Sequence, residues 1–251
     1  MMYASFKERY AVVTGAAQGI GFAIAKRFVE EEIAGIAILD WNADAVAKAG
    51  EELQAICPSS KVLALQCDVS SYESTQKAMA AAEAEFGRID ILVNNAGITR
   101  DAIFHKMTPD QWNAVIGVNL NGLYNCTSCV IKGMRERNYG RLVNLASVAA
   151  YGAVGQANYA STKAAVVAFT KCMAKEGGRK GITANAFCPD MINTPMMNAI
   201  PDHVMASNLA KAPMQRMGEP SEVAALVVFL ASDEASYISG ASIDCNGAIR
   251  T

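Results

Sequence analysis

The chain has little of what marks a fibrous, disordered or nucleic-acid-binding protein. Charged residues make up only 18% of its 251 residues, 22 Lys and Arg are offset by 24 Asp and Glu, and no block of one sign appears. A net charge of −2 offers no basic footprint to a phosphate backbone, so no nucleic-acid partner is expected. Proline is scarce, at 7 residues against 19 Gly, and 52% of residues are hydrophobic, which excludes collagen-like and disordered chains and allows a sizeable core. Histidine is limited to His105 and His203, neither at zinc-ligand spacing from the Cys126-x-x-Cys129 pair, so no metal is expected. The seven Cys, odd in number and scattered from Cys57 to Cys245, read as reduced, buried thiols rather than a disulfide framework. No stretch reaches about 18 uncharged apolar residues, and the mixed-charge start has no apolar core; neither a membrane span nor a targeting segment is expected, and the protein is placed in the cytoplasm.

What is present is an alternation. Short apolar runs at Tyr10–Val13, Ile36–Leu39, Val62–Gln66, Ile91–Asn94, Arg141–Leu145, Ile182–Phe187 and Ser242–Asp244 are separated by stretches of helical period. Those helical stretches include Gly19–Glu31, Ala43–Ile56, Tyr72–Phe86, Pro109–Arg135, Asn158–Lys175 and Glu219–Ala231. Continuously apolar strands are what a sheet covered on both faces requires, so the pattern predicts an α/β fold: one doubly wound domain over 1–251, with a seven-stranded parallel sheet. Residues 190–218 break the rhythm with three Pro and six of the chain's 12 Met. Unbranched, polarizable Met suits a changeable surface, so this segment reads as a substrate lid; a surface helical hairpin is the plainer alternative.

Three motifs carry chemistry. Thr14-Gly15-Ala16-Ala17-Gln18-Gly19-Ile20-Gly21 follows the first strand and opens the first helix, where Gly permits close backbone approach and unpaired N–H groups favour a pyrophosphate. Asp40 ends the second strand, 19 residues beyond Gly21; its carboxylate would accept from a ribose 2′-hydroxyl and repel a 2′-phosphate, favouring NAD(H) over NADP(H). Gln18 fits, since it offers no cation to a phosphate, although Asp40 also suits a cap of the next helix. Tyr159 and Lys163 are four apart on one helix face, a spacing at which an ammonium would lower the phenol's pKa toward working pH. Ser147, ending a strand-like run, is placed to bind the same oxygen or simply to cap a turn.

With these residues in place the chain resembles the classical short-chain dehydrogenase/reductase family over nearly its whole length. Further matches are Asp68-Val69, Asn94-Asn95-Ala96-Gly97, Asn119 and the tail Gly-Ala-Ser-Ile-Asp-Cys-Asn-Gly at 240–247. The resemblance implies that Tyr159 is the acid/base, Lys163 holds the nicotinamide ribose and tunes Tyr159, Ser147 binds the reacting oxygen, and Asn119 fixes a relay water. It further implies that Asp68 and Val69 flank adenine, that Asn95, Ala96 and Gly97 line the central cleft, and that Pro189, Ile192 and Thr194 meet the carboxamide and phosphate region. Read on their own, Asn119 suits a kink-stabilising role and Asn95 a turn. Three departures stand out: Pro189-Asp190 where Pro-Gly is usual, Gly247-Ala248 where two Gly are common, and a 12-residue interval from Ser147 to Tyr159 that is one short of the frequent value.

Asn95–Asp101 and Gly155–Tyr159 resemble the 3-oxoacyl thioester reductases acting on acyl-carrier-protein or CoA substrates. That resemblance implies reduction of a 3-oxoacyl thioester to the 3-hydroxyacyl thioester; the alternative is a hydroxysteroid or other secondary-alcohol dehydrogenase. Arg137 and Lys180 are aligned near the mouth, as partners for carrier phosphates or as plain surface charge. A catalytically silent scaffold is disfavoured, because Asn119, Ser147, Tyr159 and Lys163 are all present. The family implies a homotetramer built on the helices at 109–135 and 158–175.

Overall fold

The computed structural model describes residues 6–195, 197, 209 and 212–249. Seven strands alternate with helices in chain order: β1 Tyr10–Thr14, α1 Gly19–Glu30, β2 Gly35–Asp40, α2 Ala43–Ile56, β3 Lys61–Gln66, α3 Tyr72–Phe86 and β4 Ile91–Asn94. Then come α4 Pro109–Ile116, α5 Gly122–Arg137, β5 Gly140–Leu145, α6 Ala157–Gly177, β6 Ile182–Pro189, α7 Pro220–Ala231 and β7 Ser242–Cys245. All pairings are parallel and the sheet runs β3-β2-β1-β4-β5-β6-β7, so the direction of winding reverses between β1 and β4. This is the predicted doubly wound sheet, and the reversal opens a crevice at the carboxyl ends of β1 and β4.

The apolar runs become strands because both faces are covered. Every residue of β4 and β6 is buried, whereas the edge strands β3 and β7 are not. On one face α1 and α7 pack Ile24, Phe28, Val223 and Val227 against Val13 and Ile38. On the other, α3 and α5 set Met79, Cys126, Val130 and Met134 against Val12, Leu92 and Leu142. Each such side chain contributes roughly 1.5–3 kcal/mol when withdrawn from water.

The predicted helix 109–135 is interrupted. A π turn, Gly117–Asn121, joins α4 to α5, and the bulge brings Asn119 inward. By length and composition the run 109–137 is long and apolar enough to cross a membrane, but its inner side is part of the core. Much of 190–218 lies outside the described residues; both of its ends are described, and they meet. Ile192 forms a parallel bridge with Gly218, where Asn193 N donates to Gly218 O and Gly218 N to Met191 O, each at 2.9 Å.

Candidate active site

The Gly-rich turn is shaped by a buried latch. Thr14 Oγ1 accepts from the backbone N–H groups of Asn95 and Ala96, both at 3.0 Å, and Asn95 Nδ2 donates to the carbonyls of Thr14 and Gly15 at 3.0 Å. Gly15 sits at φ +63°, and a Cβ there would lie 2.8 Å from Ala96 Cα; a Cβ on Gly21 would collide with the Gly15 carbonyl. These two glycines let the turn fold onto the β4 end. Asn95 is thus both turn-former and cleft wall, and its Oδ1 is buried with no hydrogen-bond partner.

The start of α1 is bare by contrast with its neighbours. Asn42, Ser71 and Thr108 cap α2, α3 and α4 through their side chains, whereas Gln18, exposed at the N-cap of α1, makes no such bond. Thr194 stands beside it, 3.6 Å from where a Gly19 Cβ would be, and Ile20 turns into the core. Asp40 Oδ2 accepts from Ala17 N at 3.2 Å and Oδ1 from Asn42 N at 3.2 Å. Asp40 therefore braces the Gly-rich turn and does not cap α2, which is Asn42's part. Uncapped N–H groups, an unpartnered amide oxygen and a carboxylate at the β2 end fit a dinucleotide laid across the crevice.

The adenine-side and distal residues divide. Val69 is buried under Gly122 and its carbonyl accepts from Asn125 Nδ2 at 2.8 Å. Asp68 is exposed and holds Ser70 through Oδ1. Pro189 and Ile192 are buried at the β6 end. Asp190 keeps an ordinary negative φ, so replacing Gly there needs no left-handed backbone, and partial burial raises its carboxyl pKa. Ala248, by contrast, is left-handed at φ +65°, where glycine would carry no strain. Arg137 and Lys180 are not near the mouth: Arg137 Nη2 donates to Ile89 O at 2.6 Å and Lys180 precedes β6, both at the opposite edge of the sheet.

Tyr159, Lys163, Ser147, Asn119 and Gly97 come together at the crevice. Lys163 Nζ lies 5.4 Å from the centre of the Tyr159 ring, on the same face of α6, and donates to Leu145 O at 2.8 Å. A Cβ on Gly97 would lie 3.4 Å from Asn119 Oδ1 and 3.5 Å from Lys163 Nζ. Asn119 Oδ1 accepts from Ile98 N at 2.8 Å, while its Nδ2 donates to Ile98 O at 3.0 Å and Thr162 Oγ1 at 3.3 Å. The kink role and the site position coincide. Ser147 Oγ accepts from Ala149 N at 3.1 Å, capping a 3-10 turn, and its hydroxyl is near enough to the Tyr159 phenol to pull its pKa down.

The electrostatics differ from the expectation. Burial pushes Tyr159 up to about 12, against the opposing pull of the Ser147 hydroxyl, and complete burial brings Lys163 down to about 7. An amine at that value is only partly charged at neutral pH, which weakens its pull on the phenol. Of the Cys-x-x-Cys pair, Cys126 is buried and Cys129 half-buried, and burial raises the pKa of both. Two residues that sequence reasoning passed over support the site. Asn158, fully buried, donates to Arg100 O and Gln111 O, and Thr162 Oγ1 donates to Tyr159 O at 2.7 Å. Their only sequence signal is polarity on the inner face of an otherwise apolar helix.

Comparison with known proteins agrees with this geometry. Residues 15–248 match the family model described as Enoyl-(Acyl carrier protein) reductase. The chain is 48% identical over 241 residues to an acetoacetyl-CoA reductase from Shinella zoogloeoides, covering 95% of this chain and 97% of that one. It is 43% identical over 243 residues to a 3-oxoacyl-[acyl-carrier-protein] reductase from Vibrio harveyi, covering 95% and 96%. A solved 3-oxoacyl-[acyl-carrier protein] reductase from Brucella melitensis superposes with a TM-score of 0.90 at 38% identity, covering 98% of this chain and 92% of that one. With the winding reversal, the Gly-rich turn and the Tyr-x-x-x-Lys pair already in place, these matches mean that the chain belongs to the short-chain dehydrogenase/reductase family of nicotinamide-dependent oxidoreductases.

Proposed function

We propose that this protein is an NADH-linked reductase of 3-oxoacyl thioesters, giving the 3-hydroxyacyl thioester. The observation that carries the reading is the convergence of Tyr159, Lys163 and Asn119 on the crevice beside Gly97: Lys163 Nζ lies 5.4 Å from the centre of the Tyr159 ring on the same helix face. When bound, reduced nicotinamide supplies the hydride. The Tyr159 O–H donates to the substrate's 3-oxo oxygen and passes its proton to it as the alcohol forms. Ser147 holds that oxygen in line, Lys163 binds the nicotinamide ribose, and Asn119 anchors a water that returns a proton to Tyr159. A phenol raised to about 12 is a reluctant acid on its own, so the reading requires the bound ribose and substrate to complete its surroundings.

Gly15, Gln18, Gly19, Ile20 and Gly21 cradle the pyrophosphate, Asp68 and Val69 flank adenine, and Asn95, Ala96 and Gly97 line the centre. Pro189, Ile192 and Thr194 close on the nicotinamide side. Asp40 favours NADH, because a 2′-phosphate would meet a carboxylate already engaged with Ala17 N. Residues 1–251 act as one unit, with 190–218 as its lid; the paired ends of that segment at Ile192 and Gly218 support a hinge. An open apolar cleft of about 430 Å³ between α5 and α6, lined by Tyr124, Ile131, Phe169 and Met173, supports a homotetramer packed through these helices. Free thiols at all seven Cys support a cytoplasmic setting.

The test is a comparison of initial rates with NADH and NADPH on a 3-oxobutanoyl thioester, a steroid ketone and a sugar ketone. Thioester reduction with NADH preferred is the expected result. Brisk steroid reduction without thioester turnover transfers the protein to the hydroxysteroid reading, and a preference for NADPH removes the role given to Asp40.

A further inference from the structure

Two loops are clipped together in front of Tyr159. One follows β4 and carries Arg100-Asp101-Ala102; the other follows β5 and runs through Gly155-Gln156 into α6. Ala102 N donates to Gly155 O at 2.9 Å, Gln156 Nε2 donates to Asp101 Oδ2 at 2.8 Å, and Asn158 Nδ2 donates to Arg100 O at 3.0 Å. The clip holds a carboxylate against the first turn of α6, immediately ahead of which Gln156 stands at the N-cap. Its field reaches the reacting phenol: after burial, Asp101 is the other influence that holds Tyr159 up.

The other charged groups near this mouth do not pair with it. Asp101 has no ion-pair partner among the described residues. Arg100 donates to Thr99 O, Lys163 is buried and turned to Leu145 O, and His105 and Lys106 are exposed in the one-turn helix that follows. Asp190, half-buried at the β6 end, adds a second carboxyl. The same loops expose apolar side chains, Ile103, Phe104, Tyr151 and Val154.

We infer that Asp101, fixed by Gln156, is a specificity-determining residue that admits 3-oxoacyl groups carried as neutral thioesters or esters and turns away the same groups as free carboxylates. The inference rests on the proposed reading of the site. A free 3-oxo acid carries its carboxylate two carbons from the atom that receives the hydride, whereas a thioester places a neutral carbonyl there. The phosphates of a CoA or carrier arm lie at the far end of a long linker, beyond the ~8–10 Å over which exposed charges act at physiological salt, and escape the repulsion.

The experiment compares kcat/KM for ethyl acetoacetate and for acetoacetate, with one reductant, in the wild type, Asp101→Asn and Asp101→Glu. Asparagine retains an acceptor oxygen for Gln156, so the clip survives while the charge is lost. The wild type is expected to favour the ester, Asp101→Asn to raise the relative use of the free acid about tenfold, and Asp101→Glu to keep the wild-type ratio. Two further readouts separate charge from shape. The wild-type ratio should narrow as ionic strength rises, and the high-pH limb of ester reduction should move to lower pH in Asp101→Asn, since the phenol loses an influence that holds its proton. Equal, salt-independent ratios in wild type and Asp101→Asn overturn the inference even where ester turnover is normal. Should Asp101→Asn fail to fold, a wild-type ratio that ignores salt overturns it alone. A wild type that reduces neither ester nor thioester refutes the proposed function, and this inference with it.

Discussion

The two edges of the sheet are built on opposite principles. At the amino edge charged groups are paired in a cluster: Arg9 and Arg141 lie 4.2 and 4.3 Å from the centre of the Tyr139 ring, and both reach Asp233, as does the Tyr139 hydroxyl at 2.9 Å. Buried Arg141 also donates to the carbonyls of Gly140, Gly181 and Ser232, and Arg88 donates to buried Asp90 at 2.7 Å. At the carboxyl edge, α1 is uncapped, Asn95 Oδ1 has no partner, and burial displaces the pKa values of Tyr159 and Lys163 in opposite directions. The ion pairs at one edge secure the fold; at the other, the groups around Asn95, Tyr159 and Lys163 stand ready for a ligand. Loss of a group should therefore cost stability at the first edge and turnover at the second.

The sharpest test is Tyr159→Phe, which should lower kcat for ketone reduction by about 10³-fold while cofactor binding, followed by fluorescence titration, persists. Asp233→Ala should do the reverse. It leaves Arg141 without its carboxylate and should lower stability by about 2–3 kcal/mol, read as a fall of several degrees in Tm with kcat unchanged. Lys163→Met should stabilise the protein at pH 7 by about 1–2 kcal/mol while abolishing activity, since the buried amine is a cost to folding. The sign follows from proton uptake: the unfolded lysine holds its proton to about 10.5 and the folded one only to about 7, so wild-type stability rises with pH between those values. The variant's advantage should be largest at or below pH 7 and fade toward pH 10 in denaturant melts. Smallest is Ala248→Gly, which relieves a left-handed alanine and should add about 1 kcal/mol by the same assay.

The sequence made the strands legible because continuous burial on both faces leaves an unambiguous apolar run; the observed ends differ by at most two residues, as where β6 extends to Pro189. The interruption at Gly117–Asn121 was not legible, since a π turn depends on Asn119 reaching Ile98 across the fold rather than on local periodicity. Tyr159, Lys163 and Ser147 were readable from spacing. The Thr14–Asn95 latch was not, because it joins residues 81 apart. The expected lowering of the phenol failed for a similar reason: spacing tells which groups are neighbours, while burial decides whether the amine keeps its charge. Arg137 was misplaced because its helix runs away from the crevice, ending beside Ile89.

Asn94 and Asn144 sit opposite each other in β4 and β5, joined amide to amide at 2.9 Å and extended to Thr127 and Thr170 on the flanking helices. Within a sheet interior of Val, Leu and Ile, which would pack acceptably in several alignments, this chain works as a ruler. Sliding one strand by one residue would face Asn94 with Leu145 and Asn144 with Val93, or Asn94 with Val143, and leave at least one buried amide in hydrocarbon. Misaligned sheets are thereby penalised during assembly, and the loops that carry Asn95 and Ser147, one and three residues further on, emerge at the right height.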